Sequence, residues 1–384
     1  MIIKPLASTP VFWLFAAKLV FSFLLTSCSP VGVLIPSSPG PEDLATFEVD
    51  GKTFIVTGTA KRFTRPSKED LGRIEVLDVS RPHDGFQAWE SRKMRANPDA
   101  SGIQDRWGLI PVGIDSIKDP TIPTRTLLYV VSAGRDEEGR RSDGRVAVYK
   151  VGSNGLDAGL SLEPSPYLSA ANGLAVAPDG TIFVSNFNNF SFSPDDPKAV
   201  VRDLTDKVDR APGGTVVSMR PGEHGGDGKW RIVAEGFAGA NGMAVSPDGS
   251  HLLVCSYYGR AIHAFRRSPE GVSLEKLPDP VRSFSFHLDN LKSLGDDEYT
   301  VVGQTSIAGG VWHFLTRQPT FPGAGQRFRW TPGAESALIH DYSDSLRKDR
   351  CGPSTAIPIK DWIYVGHIAS PGVRRLSNLQ EASP

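Results

Sequence analysis

Oxygen-donor side chains recur at one phase of a repeating pattern in this 384-residue chain: Glu42 and Asp43, Asn172, Asn241, then Asp289 and Asn290. Carboxylates and amide carbonyls are ligands for a hard cation, and calcium takes about 6 to 8 oxygens at roughly 2.4 Å. Glu42 and Asp289 supply negative charge, while Asn172, Asn241 and Asn290 supply neutral oxygens, which leaves room for water or a substrate oxygen. The set predicts a bound Ca2+. No histidine recurs at these positions, which disfavours zinc. Any one of these residues alone reads as a turn or capping residue; their recurrence at one phase sets them apart.

The elements that must position them are short strands. Asn172-Gly173-Leu174-Ala175-Val176-Ala177-Pro178-Asp179-Gly180 and Asn241-Gly242-Met243-Ala244-Val245-Ser246-Pro247-Asp248-Gly249 are near copies, each followed by an apolar run. Pro-Asp-Gly is a chain-reversal signal, because Pro pre-sets φ while Asp and Gly tolerate the turn conformations. Weaker copies start at Glu42-Asp43-Leu44, Val112-Gly113-Ile114-Asp115, Asp289-Asn290-Leu291 and Pro353-Ser354-Thr355. Third apolar segments follow at 72–79, 144–150 and 260–265. Three or four antiparallel strands repeated radially make a propeller blade, so the pattern predicts an all-β, six-bladed β-propeller. A β-sandwich, the competing architecture, does not require a polar residue at the same phase of each repeat. The first strand of each blade lines the central channel, which brings the oxygen donors to the axis.

The 42 basic and 43 acidic residues nearly balance, which argues against nucleic acid as a partner and favours a small molecule. The 39 glycines and 30 prolines suit many short strands and tight turns. Residues 1–28 read as a signal peptide, with Lys4 ahead of an apolar run that ends at Leu25-Thr26-Ser27-Cys28. That tetrad resembles a bacterial lipobox, so Cys28 is expected to carry a lipid that attaches the protein to a membrane; a plain secretory signal or an uncleaved anchor is the alternative. Either way the protein is expected outside the cytosol, with residues 29–40 as linker and 41–384 as propeller. Cys255 and Cys351 read either as a disulfide or as two thiols. Residues 188–212 read as a long insertion and include the sequon Asn189-Phe190-Ser191, and Gly222 to Gly228 as a hairpin loop.

The chain resembles the serum paraoxonase/arylesterase family, and more distantly the gluconolactonase and senescence marker proteins. The likeness covers about residues 40–378 and is carried by Pro41-Glu42-Asp43-Leu44, Asn241 to Gly249, Leu288-Asp289-Asn290 and Gly352-Pro353-Ser354-Thr355-Ala356. It implies a catalytic calcium on Glu42, Asn172, Asn241, Asp289 and Asn290. It also implies a second calcium on Asp43 and the Ile114 carbonyl, though the family's third ligand there, an acidic residue, falls on Gly173. The family's proposed catalytic histidines fall on Val112 and on the 131–133 segment, so both are missing here.

Hydrolysis of a lactone or ester needs an electrophile and a base. The gluconolactonase likeness implies Asp289 as that base. His287, two residues earlier on the same strand face, and His367, in Gly366-His367-Ile368, are further candidates. No Gly-x-Ser-x-Gly elbow supports a serine nucleophile. Three functions are therefore expected in order: a calcium-dependent lactonase or esterase, a non-enzymatic calcium-stabilised propeller that binds a ligand or protein, and a strictosidine-synthase-like propeller.

Overall fold

The computed structural model describes residues 32–60, 72–88, 110–135, 141–152, 155–162, 164–188, 212–222, 226–270, 273–310, 321–349, 351–368 and 370–377. The signal segment with Cys28, the Asn189 sequon and nearly all of the 188–212 insertion lie outside them. Among the described residues no helix is long and apolar enough to cross a membrane.

Six antiparallel sheets form the blades of a β-propeller, as the repeats predict. Blade 1 is Pro41–Val49, Lys52–Thr59, Arg73–Asp78 and Gln87–Ala88; blade 2 is Pro111–Lys118, Thr126–Arg135, Arg141–Gly152 and Gly155–Ser161. Blade 3 is Ala171–Val176, Ile182–Asn186, Gly214–Met219 and Arg231–Phe237. Blade 4 is Ala240–Val245, His251–Ser256, Ala261–Arg267 and Leu274–Lys276, with Arg282–Ser283 also on its third strand. Blade 5 is His287–Gly295, Glu298–Gln304, Gly323–Arg329 and Ala337–Asp341, and blade 6 begins with Pro353–Ile359, Trp362–His367 and Pro371–Ser377. All six inner strands begin at the predicted repeat starts. The Pro-Asp-Gly steps are the expected turns, with Gly180 at φ 82° and Gly249 at φ 75°.

Alternation along each strand feeds apolar side chains into the seams between blades. Ile55, Leu77, Tyr364 and Val373 fill the seam of blades 6 and 1, and Phe183, Val216, Leu252 and Val254 that of blades 3 and 4. Each such side chain contributes about 1.5–3 kcal/mol when fully buried. Stability is thus distributed around the ring, and closure of the ring decides whether every seam has two walls.

Closure corrects one expectation. Residues 29–40 read as linker, yet Val33–Pro39 is the outermost strand of blade 6 and pairs with Pro371–Ser377. The prolines that suggest a loop are tolerated because an edge strand can leave one side without ladder hydrogen bonds. Ile35 is buried in the seam with blade 1. At the far end of this strand both the amide and the hydroxyl of Ser38 donate to the buried carboxylate of Glu75 on blade 1. A single strand therefore ties the end of the chain to its beginning.

Ser38→Ala removes one donor from that buried carboxylate and is expected to lower unfolding free energy by about 1–3 kcal/mol in a urea titration. An unchanged midpoint would mean that Glu75 does not latch the ring.

Candidate functional site

Each of the six inner strands is bulged at the same point. The register shifts lie at Pro41/Asp43, Pro111/Gly113, Ala171/Leu174, Ala240/Met243, Leu288/Leu291 and Pro353/Thr355. A bulge leaves a residue out of the ladder and re-aims its side chain. The residues so placed are Glu42, Val112, Asn172, Asn241, Asp289 with Asn290, and Ser354. The structure thus puts the five predicted ligands at the bulged starts of inner strands, where Asp289 feels the Glu42 charge and accepts a hydrogen bond from Asn241.

The glycine after the asparagine makes this spacing possible. A Cβ on Gly242 would lie 2.4 Å from the Asp289 carbonyl oxygen and 2.4 Å from the Leu291 nitrogen. Neighbouring inner strands approach too closely there for any side chain.

Glu42, Asn241, Asp289 and Asn290 are all buried. Asn290 Nδ2 and Ser354 Oγ donate to the Glu42 carbonyl at 3.3 and 2.6 Å, which fixes the backbone of blade 1 against blades 5 and 6. Gln304 Nε2 donates to Asp289 Oδ2 at 2.7 Å and to the Pro353 carbonyl at 3.0 Å. Burial, and next the charge of Glu42, push the Asp289 carboxyl well above the usual carboxylate range; Gln304 and Asn241 draw it partly back. The Oδ1 atoms of Asn172 and Asn241 are buried without a hydrogen-bond donor. Leaving such an acceptor unmet costs about 1–3 kcal/mol.

An excess of acceptors beside two carboxylates calls for a positive occupant. The donor set is all oxygen, the kind calcium takes, with two carboxylates and the rest amides; among the described residues no group of three or more His, Cys, Asp and Glu side chains that could hold a metal ion is found. The second implied calcium does not fit. Lys292 Nζ lies 2.8 Å from Asp43 Oδ2 and 2.9 Å from the Ile114 carbonyl, so an ammonium occupies the place between those two oxygens. Nor is there room for the missing acidic ligand, because a Cβ on Gly173 would stand 2.5 Å from the Asn241 carbonyl oxygen.

Neither histidine is placed as a base for the ring. Arg260 Nη2 lies 3.0 Å from His287 Nε2, and a guanidinium only donates, so Nε2 accepts and Nδ1 donates to the Tyr257 carbonyl at 3.2 Å. The imidazole stacks on Tyr257 with centroids 5.1 Å apart. His367 is fully buried, its Nε2 2.6 Å from Asp349 Oδ2, which also pairs with Arg374 at 2.9 Å. Burial raises the Asp349 carboxyl, but His367 and Arg374 outweigh it and bring it down to about 2. His287 is tied to Arg260 and Tyr257 at blade 4, whereas His367 is tied to Asp349 in the segment that leads into its own blade.

Sequence reasoning missed Gln304, Ser354, Tyr257 and Lys292. Only Lys292 carried a signal, a lysine in an inner strand that should line the channel. Tyr257 feels the Asp289 charge, and burial with that charge pushes its hydroxyl up, so it is a neutral donor at any working pH. Phe187 packs edge-on against Tyr257 and Tyr258. No disulfide joins Cys255 to Cys351.

No protein-family description and no curated protein matches this chain. Among solved structures, the major allergen Mala s 1 of Malassezia sympodialis superposes with a TM-score of 0.50 at 14% identity, over 92% of this chain and 97% of that one. A periplasmic gluconolactonase of Pseudomonas aeruginosa gives 0.46 at 12% identity over 88% and 89%. A luciferin-regenerating enzyme gives 0.48 at 10% over 91% and 96%. At these identities the likeness bears on the fold alone, and the six-bladed propeller is read from the six sheets of this chain, a fold that hosts many chemistries.

Two outcomes are expected. Gly242→Ala forces blades 4 and 5 apart and should cost about 2 kcal/mol or more, read as a lower melting temperature. Asp349 has a folded pKa of about 2, below its value near 3.9 in an unfolded chain. Its stabilisation, on the order of 2 kcal/mol, is therefore present above pH 4 and lost as pH falls towards 2. Asp349→Asn should be less stable at pH 7 and flatten the acid limb of the stability curve; a parallel curve would show that the network does not titrate with folding.

Proposed function

We propose that Glu42, Asn172, Asn241, Asp289 and Asn290 hold one calcium ion at the channel mouth, and that the protein is a calcium-dependent hydrolase of lactones or esters. The observation that carries this is the pair of buried, donorless oxygens of Asn172 and Asn241 at matching strand starts, with Asn241 next to an Asp289 carboxyl that the Glu42 charge pushes up. When bound, calcium would polarise the substrate carbonyl.

The remaining chemistry belongs to the chain. Asp289 accepts the proton of the attacking water, with Gln304 fixing one carboxylate oxygen by its 2.7 Å hydrogen bond. The Tyr257 phenol, always protonated, donates to a substrate oxygen. Val112 stands at the one repeat start without an oxygen donor, and its side chain packs in the apolar core with residues of blades 2 and 3.

A second reading has one observation in its favour: both candidate histidines are held by other partners, so neither supports Asp289 in proton transfer. On that reading the propeller keeps calcium for stability and binds a ligand or protein partner without hydrolysis. Export with a lipid on Cys28 is part of either proposal and would put the site outside the cytosol.

Calcium should raise the melting temperature of chelated protein, and Asn241→Ala should weaken that response at least tenfold in calcium concentration. Asp289→Asn should abolish turnover in a panel of γ- and δ-lactones, sugar lactones and aryl esters. If calcium shifts melting yet no substrate is opened, the binding reading stands; no shift at all would remove the metal from the site.

A further inference from the structure

Next to the inner-strand oxygens stands a positive charge that belongs to the chain, the ammonium of Lys292. Lys292 lies on the inner strand of blade 5, two residues beyond Asn290 and so about 7 Å farther along it. Its ammonium donates to Asp43 of blade 1 at 2.8 Å and to the Ile114 carbonyl of blade 2 at 2.9 Å. In a ring of six, blade 5 faces blade 2 across the axis, so this side chain spans the channel. Lys292 and Asp43 are both largely buried, at 11% and 3% side-chain exposure.

The acceptors it meets are otherwise committed. Asp43 Oδ1 takes the Leu44 amide, and Oδ2 takes the Ile114 amide as well as the ammonium. Beside Ile114, Asp115 is held by the Val176 amide of blade 3. Burial pushes the Asp115 carboxyl up to about 6, and the charge of Lys292 draws against that rise. The ammonium thus acts on carboxylates of blades 1 and 2 from an anchor on blade 5.

Oxygens from a carboxylate and a backbone carbonyl, with a further carboxylate close by, also suit a divalent ion. Such an ion would need the volume that Nζ fills. We propose that Lys292 is a tethered cation that bridges blade 5 to blades 1 and 2, closes the channel beneath the ring, and excludes a divalent ion from the oxygens of Asp43 and Ile114. The lower ring is then neutralised without any metal, and loss of the lysine opens a latent divalent-cation site.

The test compares calcium stoichiometry, by calorimetric titration with calcium chloride, in the full chain and in two variants. Lys292→Ala vacates the space and should bind one more equivalent than the unaltered protein. Lys292→Met fills the space without charge and should bind no extra equivalent. The comparison is a difference, so it does not depend on the upper ring: if that ring binds nothing, the counts become zero and one. Equal counts in Lys292→Ala and the unaltered protein overturn the inference. Chelated Lys292→Ala should melt on the order of 5 °C or more below the unaltered protein and recover with calcium.

Should Lys292→Ala not yield folded protein, the pair decides the matter. Asp43→Asn combined with Lys292→Met removes the uncompensated charge and should melt above Lys292→Met alone. A double variant that melts at or below the single one counts against a bridging ammonium.

Discussion

Burial of like charge at the axis is the constraint on which this structure depends. Glu42 and Asp289 come together in a space that the neighbouring blades line with amide oxygens, and the cost is visible in the upward shift of Asp289. A protein can meet such a demand by protonation, by a bound cation or by a cation of its own. This chain divides the task. The oxygens around Asp289 are left rich in acceptors, whereas Asp43 is neutralised by Lys292.

The backbone makes that division possible. Six bulges at one phase turn ladder residues towards the axis, and glycines at 173 and 242 let adjacent inner strands approach until carbonyl oxygens lie where a Cβ would be. The same closeness excludes an acidic side chain at Gly173. Ring closure by Val33–Pro39 keeps the inner strands at that spacing, since an opened ring would lose the seam of blades 6 and 1 and with it the hydrogen bonds from Ser354 and Asn290 to the Glu42 carbonyl.

Two buried histidines invite a catalytic role that their surroundings do not support. A guanidinium turns the His287 lone pair inward, and Asp349 with Arg374 locks His367 inside blade packing. Proton transfer, if the site hydrolyses, therefore falls to the carboxylate that the ring itself supplies. Its orientation rests on Gln304, a residue that reaches from one blade to the next.

Much of this was legible in the residues alone. The Asn-Gly starts and Pro-Asp-Gly turns mark the inner strands of blades 3 and 4, and weaker copies of the same pattern mark the other four, because strand alternation and turn chemistry are local and repeat with the blade. The five oxygen donors share one phase of that repeat, so their meeting at the axis follows from the radial symmetry of the fold. The closing strand was not legible, since Pro36 to Gly40 looks like a linker until the pairing with 371–377 is known. Nor were the histidine roles and the lysine bridge, because Lys292 meets Asp43 from far along the chain and local sequence carries no trace of that contact. Periodicity determined where the oxygen donors stand; only the closed ring decided which of them already have a cation.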